Sequence, residues 1–155
     1  MDDQPAAPAP DPAADPAADP RSDDERETVY ELLQRGQSLL EERHYAQAAI
    51  VLERADRREP GKGSILEALG RAYFNSGQAE HARATFEALL EIEPASHYAH
   101  YAIGQSLKRL GRRDQARTHL RLAVALSPHD PLYSGALARL APLDRAAGSE
   151  LEADG

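Results

Sequence analysis

"ILEALGRAYFNSGQAEHARATFEALLEIEP", residues 65–94, carries the pattern on which the fold depends. Leu66, Leu69, Gly70 and Tyr73 recur at helical spacing, the short break "NSG" at 75–77 interrupts them, and Ala82, Phe86 and Leu89 resume the period until Pro94 stops it. The pattern predicts a hairpin of two helices. The same signature returns on either side at a step of 34 residues. Pro60, Pro94 and Pro128 share that step, as do Gly36, Gly70 and Gly104. The frame also aligns Ala48, Ala82 and Ala116; Leu52, Phe86 and Leu120; Leu39, Tyr73 and Leu107; and Ala55, Leu89 and Ala123. Such self-similarity marks a repeat architecture in which each unit buries its apolar side against the next. A glycine inside a helix gives up about 1 kcal/mol against alanine. Its recurrence at Gly36, Gly70 and Gly104 predicts a close approach of the paired helix.

At these residues the chain resembles the tetratricopeptide repeat family, over three units at about 29–62, 63–96 and 97–130. The resemblance implies an all-α fold, a right-handed superhelical array of helical hairpins, with the first helix of each unit on the concave side. Three positions depart from the pattern. Arg35 stands where the other units have Leu69 and Ile103, Arg43 where they have Gly77 and Gly111, and His100 where they have Leu32 and Leu66. The first unit ends the stack and need not bury both faces. Past Pro128, Asp130 as N-cap and Pro131 at the first helical place predict a capping helix over 131–141, with Leu132, Leu137 and Leu140 as its apolar residues. Ser22 with Glu25 fits a capping box, so the first helix is expected to begin near residue 23 and run long. The expected array has seven helices and spans 23–143.

The two ends differ in kind from this body. The chain has 155 residues and a net charge of -8. Residues 1–28 carry nine acids against Arg21 and Arg26, residues 144–155 four acids against Arg145, and the stretch between is slightly basic. "APAPDPAADPAADP" repeats Asp-Pro-Ala-Ala with nothing larger than alanine to bury, so segments 1–22 and 144–155 are expected to be disordered acidic tails. There is no cysteine, which excludes disulfides, thiolate zinc sites and thiol nucleophiles. No apolar run is long enough for a membrane span, and the N-terminus lacks the layout of a secretory signal. The expectation is a cytoplasmic protein, and the Ala- and Arg-rich usage points to a bacterial, GC-rich genome.

In the third unit the packing side is set by His100, Ile103, Gly104 and Leu107, which turns Tyr98, Tyr101, Gln105, Lys108 and Arg109 the other way. Carried back by the repeat step, the frame selects Ser64, Glu67, Arg71, Phe74 and Asn75 in the second unit. In the first it selects Tyr30, Leu33, Gln37, Leu40 and Glu41, and Arg139 extends the row onto the capping helix. Given the concave side that the resemblance implies, the candidate partner-binding groove is Tyr30, Leu33, Gln37, Glu67, Arg71, Phe74, Asn75, Tyr98, Tyr101, Gln105, Lys108, Arg109 and Arg139. Aromatic faces mixed with long polar arms suit a peptide better than a small metabolite. Family members that grip a chaperone's C-terminal carboxylate use Lys and Asn, then Asn, then Lys and Arg in successive units. The matching places here hold Leu33, Gln37, Ala68, Tyr98 and Ala102, so that clamp is absent.

Catalysis is not expected. "EPGKGS" lacks the spacing of a phosphate loop, and no serine sits in a nucleophile elbow. His97 and His100 are three apart but lack further converging ligands, so neither a metal nor a cofactor is expected. Arg113, Arg117 and Arg121, with Arg112 beside them, form a stripe that Asp114 interrupts, which reads as a solvated convex face or a surface for the acidic tail rather than a nucleic-acid site. The expected function is a non-enzymatic adaptor that binds a peptide or helix of a partner protein. Its expected state is a monomer or weak homodimer. The alternative is a structural subunit that self-associates or packs into a larger assembly, with or without an autoinhibitory acidic N-terminal tail over the groove.

Overall fold

The fold was analysed in a computed structural model that describes Pro5 and residues 22–140. The expected tails, apart from Pro5 and Ser22, lie outside the described residues, as do 141–143 at the expected end of the capping helix and array. The helices are α1 (Asp23–Arg26), α2 (Val29–Glu41), α3 (Tyr45–Arg58), α4 (Gly63–Asn75), α5 (Ala79–Ile92), α6 (His97–Arg109), α7 (Arg113–Leu126) and α8 (131–140). No strand occurs among the described residues. From α2 to α7 every helix start and end recurs at the 34-residue step found in the sequence.

The hairpins pair α2 with α3, α4 with α5 and α6 with α7, and successive hairpins meet through α3 on α4 and α5 on α6. Helices α3, α5 and α7 stop two residues before Pro60, Pro94 and Pro128. Their C-cap residues Glu59, Glu93 and Ser127 leave helical dihedrals, with φ of -129°, -126° and -140°, as proline's Cδ demands of the residue before it. The glycine and Leu/Phe columns meet inside each hairpin. A Cβ on Gly36 would stand 2.5 Å from Leu52, on Gly70 2.7 Å from Phe86, and on Gly104 2.8 Å from Leu120. The close approach is therefore made by one side chain of the second helix lying on the bare backbone of the first.

Core alanines Ala48, Ala82 and Ala116 are fully buried, and the large side chains Leu32, Leu52, Ile65, Phe86, Leu89, Ile103, Leu120 and Leu140 are buried with them. They form a chain of neighbouring clusters along the stack rather than one central core, as expected where each repeat touches only its neighbours.

The N-terminal start differs from expectation. Ser22 N–H does reach the Glu25 carboxylate, at 3.1 Å, but the helix ends after one turn. Thr28 begins a new helix with extended dihedrals and a complete capping box, in which Glu31 N–H donates to Thr28 Oγ1 and Thr28 N–H to the Glu31 carboxylate. Between the two, Glu27 accepts both bonds of Arg35 Nη1 at 2.8 and 2.9 Å and lies 3.7 Å from Arg54 Nη2, while Arg58 donates to its backbone carbonyl. Arg35, the polar substitute for a core leucine, thus stays exposed and ties down the break.

Arg43 adopts φ of +66°, whereas the equivalent Gly77 and Gly111 adopt +85° and +77°. An L-residue pays roughly 1–2 kcal/mol there, which exceeds the extra unfolded-state entropy of glycine. Arg43→Gly is expected to raise unfolding stability by about 1 kcal/mol, read as a higher urea midpoint at unchanged slope.

The capping helix is entered as expected, with Leu132 N–H bonded to Asp130 Oδ1 at 2.9 Å. Two of its three expected apolar residues, Leu137 and Leu140, pack as expected, and the first does not. Leu132 is 48% exposed, and Tyr133, Ala136 and Leu140 face the core, with Leu137 packed beside them. Tyr133 follows the repeat step from Ile65 and Ala99, both buried, which is the register that places it inward.

Candidate functional site

Side chains of α4, α5 and α6 enclose a cavity of about 620 Å³. Eight of the thirteen expected groove residues line it: Arg71, Phe74 and Asn75 from α4, and Tyr98, Tyr101, Gln105, Lys108 and Arg109 from α6. Phe86 of α5 and Ala102 form the rest of the lining. Sequence reasoning placed Phe86 in the core, and its ring is indeed buried, yet it also closes the floor of the cavity. Its column is a core column in all three units, so only the packing of Tyr98 against it reveals the second role.

The rings form a connected row. Phe86 and Tyr98 meet edge to face with centroids 5.9 Å apart, Tyr98 and Tyr101 are 6.3 Å apart, and Tyr101 and Tyr133 5.1 Å. Edge-to-face and offset geometries are the favoured ones for such pairs. Tyr98 is half-buried, and burial pushes its hydroxyl above the ordinary tyrosine value, with Arg71 opposing and Glu67 adding to the rise. Tyr101 accepts a hydrogen bond from Gln105 Nε2 at 3.0 Å. Tyr133, missed from the sequence, backs this row from α8, with its hydroxyl 2.7 Å from His97 Nδ1.

At the other end of the cavity the Arg109 guanidinium lies 3.6 Å above the Phe74 ring and donates to the Phe74 carbonyl at 2.6 Å. It thereby adds a second donor to a carbonyl in the last turn of α4 that also accepts from Gly77 N–H at 3.2 Å. The cationic residues lining the cavity are Arg71, Lys108 and Arg109, and no acidic residue lines it.

The other expected residues lie elsewhere. Gln37 lines a smaller cavity of about 300 Å³ with Leu40, Glu41 and Arg71, and Arg71 is common to both cavities. Leu33 is half-buried against the core clusters. Tyr30 is 67% exposed and accepts a hydrogen bond from Gln34 at 2.7 Å. Glu67 and Arg139 are exposed on α4 and α8.

The two neighbouring histidines of α6 are divided between surroundings. His97 meets Tyr133, whereas buried His100 has Nδ1 3.2 Å from His119 Nδ1 and Nε2 3.3 Å from the Pro94 carbonyl. The Pro94 carbonyl can only accept, so His100 Nε2 is the donor there, and one of the two facing Nδ1 atoms donates to the other. Burial holds His119 below the ordinary histidine value, His100 adds to this, and Glu87 opposes it. Among the described residues no group of three or more His, Cys, Asp or Glu is placed to hold a metal ion, and no helix is long and apolar enough to cross a membrane. In the basic stripe, Arg117 pairs with Asp114 at 3.0 Å and Arg112 with Glu80 at 3.3 Å.

The fold is shared with solved structures of low sequence identity. The 41-end form of MamA from Desulfovibrio magneticus RS-1 matches with a TM-score of 0.75 at 20% identity, over 83% of this chain and 72% of that one. The first repeat domain of Spaghetti (RPAP3), bound to the HSP90 peptide SRMEEVD, matches at 0.71 and 14% identity, over 75% and 92%. The Sgt2 repeat domain from Aspergillus fumigatus matches at 0.71 and 17%, over 78% and 82%. No curated protein matches the sequence. The family described as tetratricopeptide repeat matches residues 39–102 and again 80–140, most of the described chain. With its helices recurring at the 34-residue step, the chain belongs to the tetratricopeptide repeat family.

Proposed function

We propose that this protein is a non-enzymatic interaction module that holds a peptide or helix of a partner protein against α2, α4 and α6, the concave side of the array. The observation that carries this reading is the 620 Å³ cavity, with its aromatic rings on one side and Arg71, Lys108 and Arg109 on the other. Rigid aromatic faces supply contact area at low entropic cost, and three cations lining a cavity that no acid lines favour acidic or carboxyl-bearing ligands. The RPAP3 domain of the same fold is bound to a peptide, which supports a peptide-holding role. Its ligand does not carry over. The places where the family's carboxylate clamp would stand hold Leu33, Gln37, Ala68, Tyr98 and Ala102, of which Ala68 and Ala102 are buried.

Peptides selected by display on the full chain are expected to lose at least about tenfold in affinity for Tyr101→Ala. Tyr101 is the better probe because Tyr98 also packs on Phe86. Unchanged affinity of the selected peptides for both Tyr101→Ala and Lys108→Glu would place binding elsewhere and sink the assignment. Exposed Leu122 and Leu126, one turn apart on α7, together with Leu132, favour a second reading as a self-associating subunit. A solution mass that does not change with concentration and equals one chain removes it.

A further inference from the structure

Behind the groove, the third hairpin holds two histidines at places where the other hairpins have no ionisable side chain. His100 of α6 stands in the column of the buried leucines Leu32 and Leu66, and His119 of α7 in the column of Val51 and Thr85. His100 is itself buried, and its Nδ1 lies 3.2 Å from His119 Nδ1, with the ring centroids 5.4 Å apart. Proton counting limits what this contact tolerates. His100 Nε2 donates to the Pro94 carbonyl at 3.3 Å, so a neutral His100 has a bare Nδ1 and His119 supplies the hydrogen between the rings. One added proton goes to His119 Nε2 and leaves the shared bond in place. A second must go to His100 Nδ1, where two N–H groups would face each other and two positive charges would share a buried site. The surroundings offer little compensation. On α5, Arg83 and Glu87 line a cavity of about 170 Å³ beside His119, and Glu87 already accepts from Arg83 at 2.6 Å. Glu93, next to Pro94, turns its carboxylate toward Gly63 of α4, and on α7 Arg117 pairs with Asp114 while Arg121 is exposed.

We propose that the His100–His119 contact is an acid-sensitive latch of the third hairpin, which holds α6 on α7 at neutral pH and releases it when the second proton forces the rings apart. Its consequence for binding rests on the interaction-module reading, because α6 carries Tyr98, Tyr101, Gln105, Lys108 and Arg109 of the groove. The link is short. Ile103 and Leu107 of α6 pack with Ala116 and Leu120 of α7 in one cluster, and Tyr98 and Tyr101 pack against that same cluster. Acid therefore loosens the groove wall from behind, and a bound peptide is released. The sign follows from linkage. Burial, with His100 adding to it, holds His119 below the ordinary value of 6.5. The unfolded chain thus takes up protons first as pH falls, and stability declines from about pH 6.5 downward.

The other hairpins supply the control. A full-chain variant combining His100→Leu and His119→Val carries residues that those hairpins use at the same places and keeps every other histidine. Between about pH 7.5 and about pH 5.5 the urea midpoint of the native protein is expected to fall further than that of the variant. Each proton excluded from the folded state contributes up to about tenfold in the folding equilibrium per pH unit. In the native protein the ring nitrogen signals of His100 and His119 are expected to titrate in two coupled steps, the second below the ordinary histidine range. Display-selected peptides are expected to lose several-fold in affinity over the same interval on the native protein and to keep it on the variant. Equal pH dependence of the two urea midpoints, or independent titration of both rings near the ordinary value, overturns the inference. Peptide affinity that is unchanged by acid overturns the regulation, while the module reading survives. If the midpoints and the ring signals behave as expected but no displayed peptide binds either protein, the latch stands and the partner reading falls.

Discussion

Phe86→Ala is expected to lower the unfolding free energy by about 3–5 kcal/mol, the range for emptying a buried aromatic site. The ring is 1% exposed, lies on the bare backbone of Gly70 and presents an edge to Tyr98. Its loss removes apolar burial from the middle hairpin and opens a void that the helices cannot close without moving. Because the stack is coupled only through neighbouring units, a defect in the middle severs the first hairpin from the third. Denaturation followed by circular dichroism is therefore expected to show a lower midpoint together with a shallower slope, the sign of lost cooperativity. Phe86→Leu installs the residue that the other hairpins use at Leu52 and Leu120, and its expected loss is under about 1.5 kcal/mol. A loss below about 1 kcal/mol for Phe86→Ala would mean that the ring is not the keystone of its hairpin.

Gly70→Ala is expected to destabilise by about 2 kcal/mol, although alanine is the better helix former by about 1 kcal/mol. The added Cβ would stand 2.7 Å from two carbons of the Phe86 ring, closer than carbon atoms tolerate. The ring is hemmed in by its own core cluster and cannot swing aside freely. The sign should reverse once the ring is gone. In a Phe86→Ala background the same substitution is expected to stabilise by about 1 kcal/mol, since only helix propensity remains. The coupling in this double-mutant cycle is thus about 3 kcal/mol, near the upper end for residues in contact. An additive cycle would show that Gly70 is kept for its backbone freedom and not for the space it leaves.

Most of the fold was legible because the repeat supplies its own control. A glycine, a proline or an alanine at one place is weak information, but recurrence of all three at one step fixes helix period, hairpin length and packing face together. The departures were legible as positions and not as outcomes. That Arg43 replaces two glycines is visible in the chain; that it takes their left-handed backbone at φ of +66° is a choice between strain and a changed turn, which the surrounding hairpin settles. Ser22 and Glu25 form a valid local signal that was overridden, because Glu27 is drawn into Arg35, Arg54 and Arg58 from elements distant in sequence. In the capping helix the leucine pattern misled at one residue, since hydrophobicity alone does not say that a tyrosine will fill the seam while Leu132 faces water.

By itself the sequence determined the all-helical class and the three hairpins, because those depend on periodicity, and periodicity is written along one dimension. Only the tertiary structure decided which of thirteen groove residues share a cavity. Tyr30 and Gln37 belong to the same face as Tyr101 yet stand outside the cavity that holds it, while Phe86 and Ala102 complete that cavity. The physical reason is that a cavity is the space left by side chains of different helices. Its shape depends on the distances between those helices and on rings such as Tyr133, 32 positions along the chain from the Tyr101 it supports.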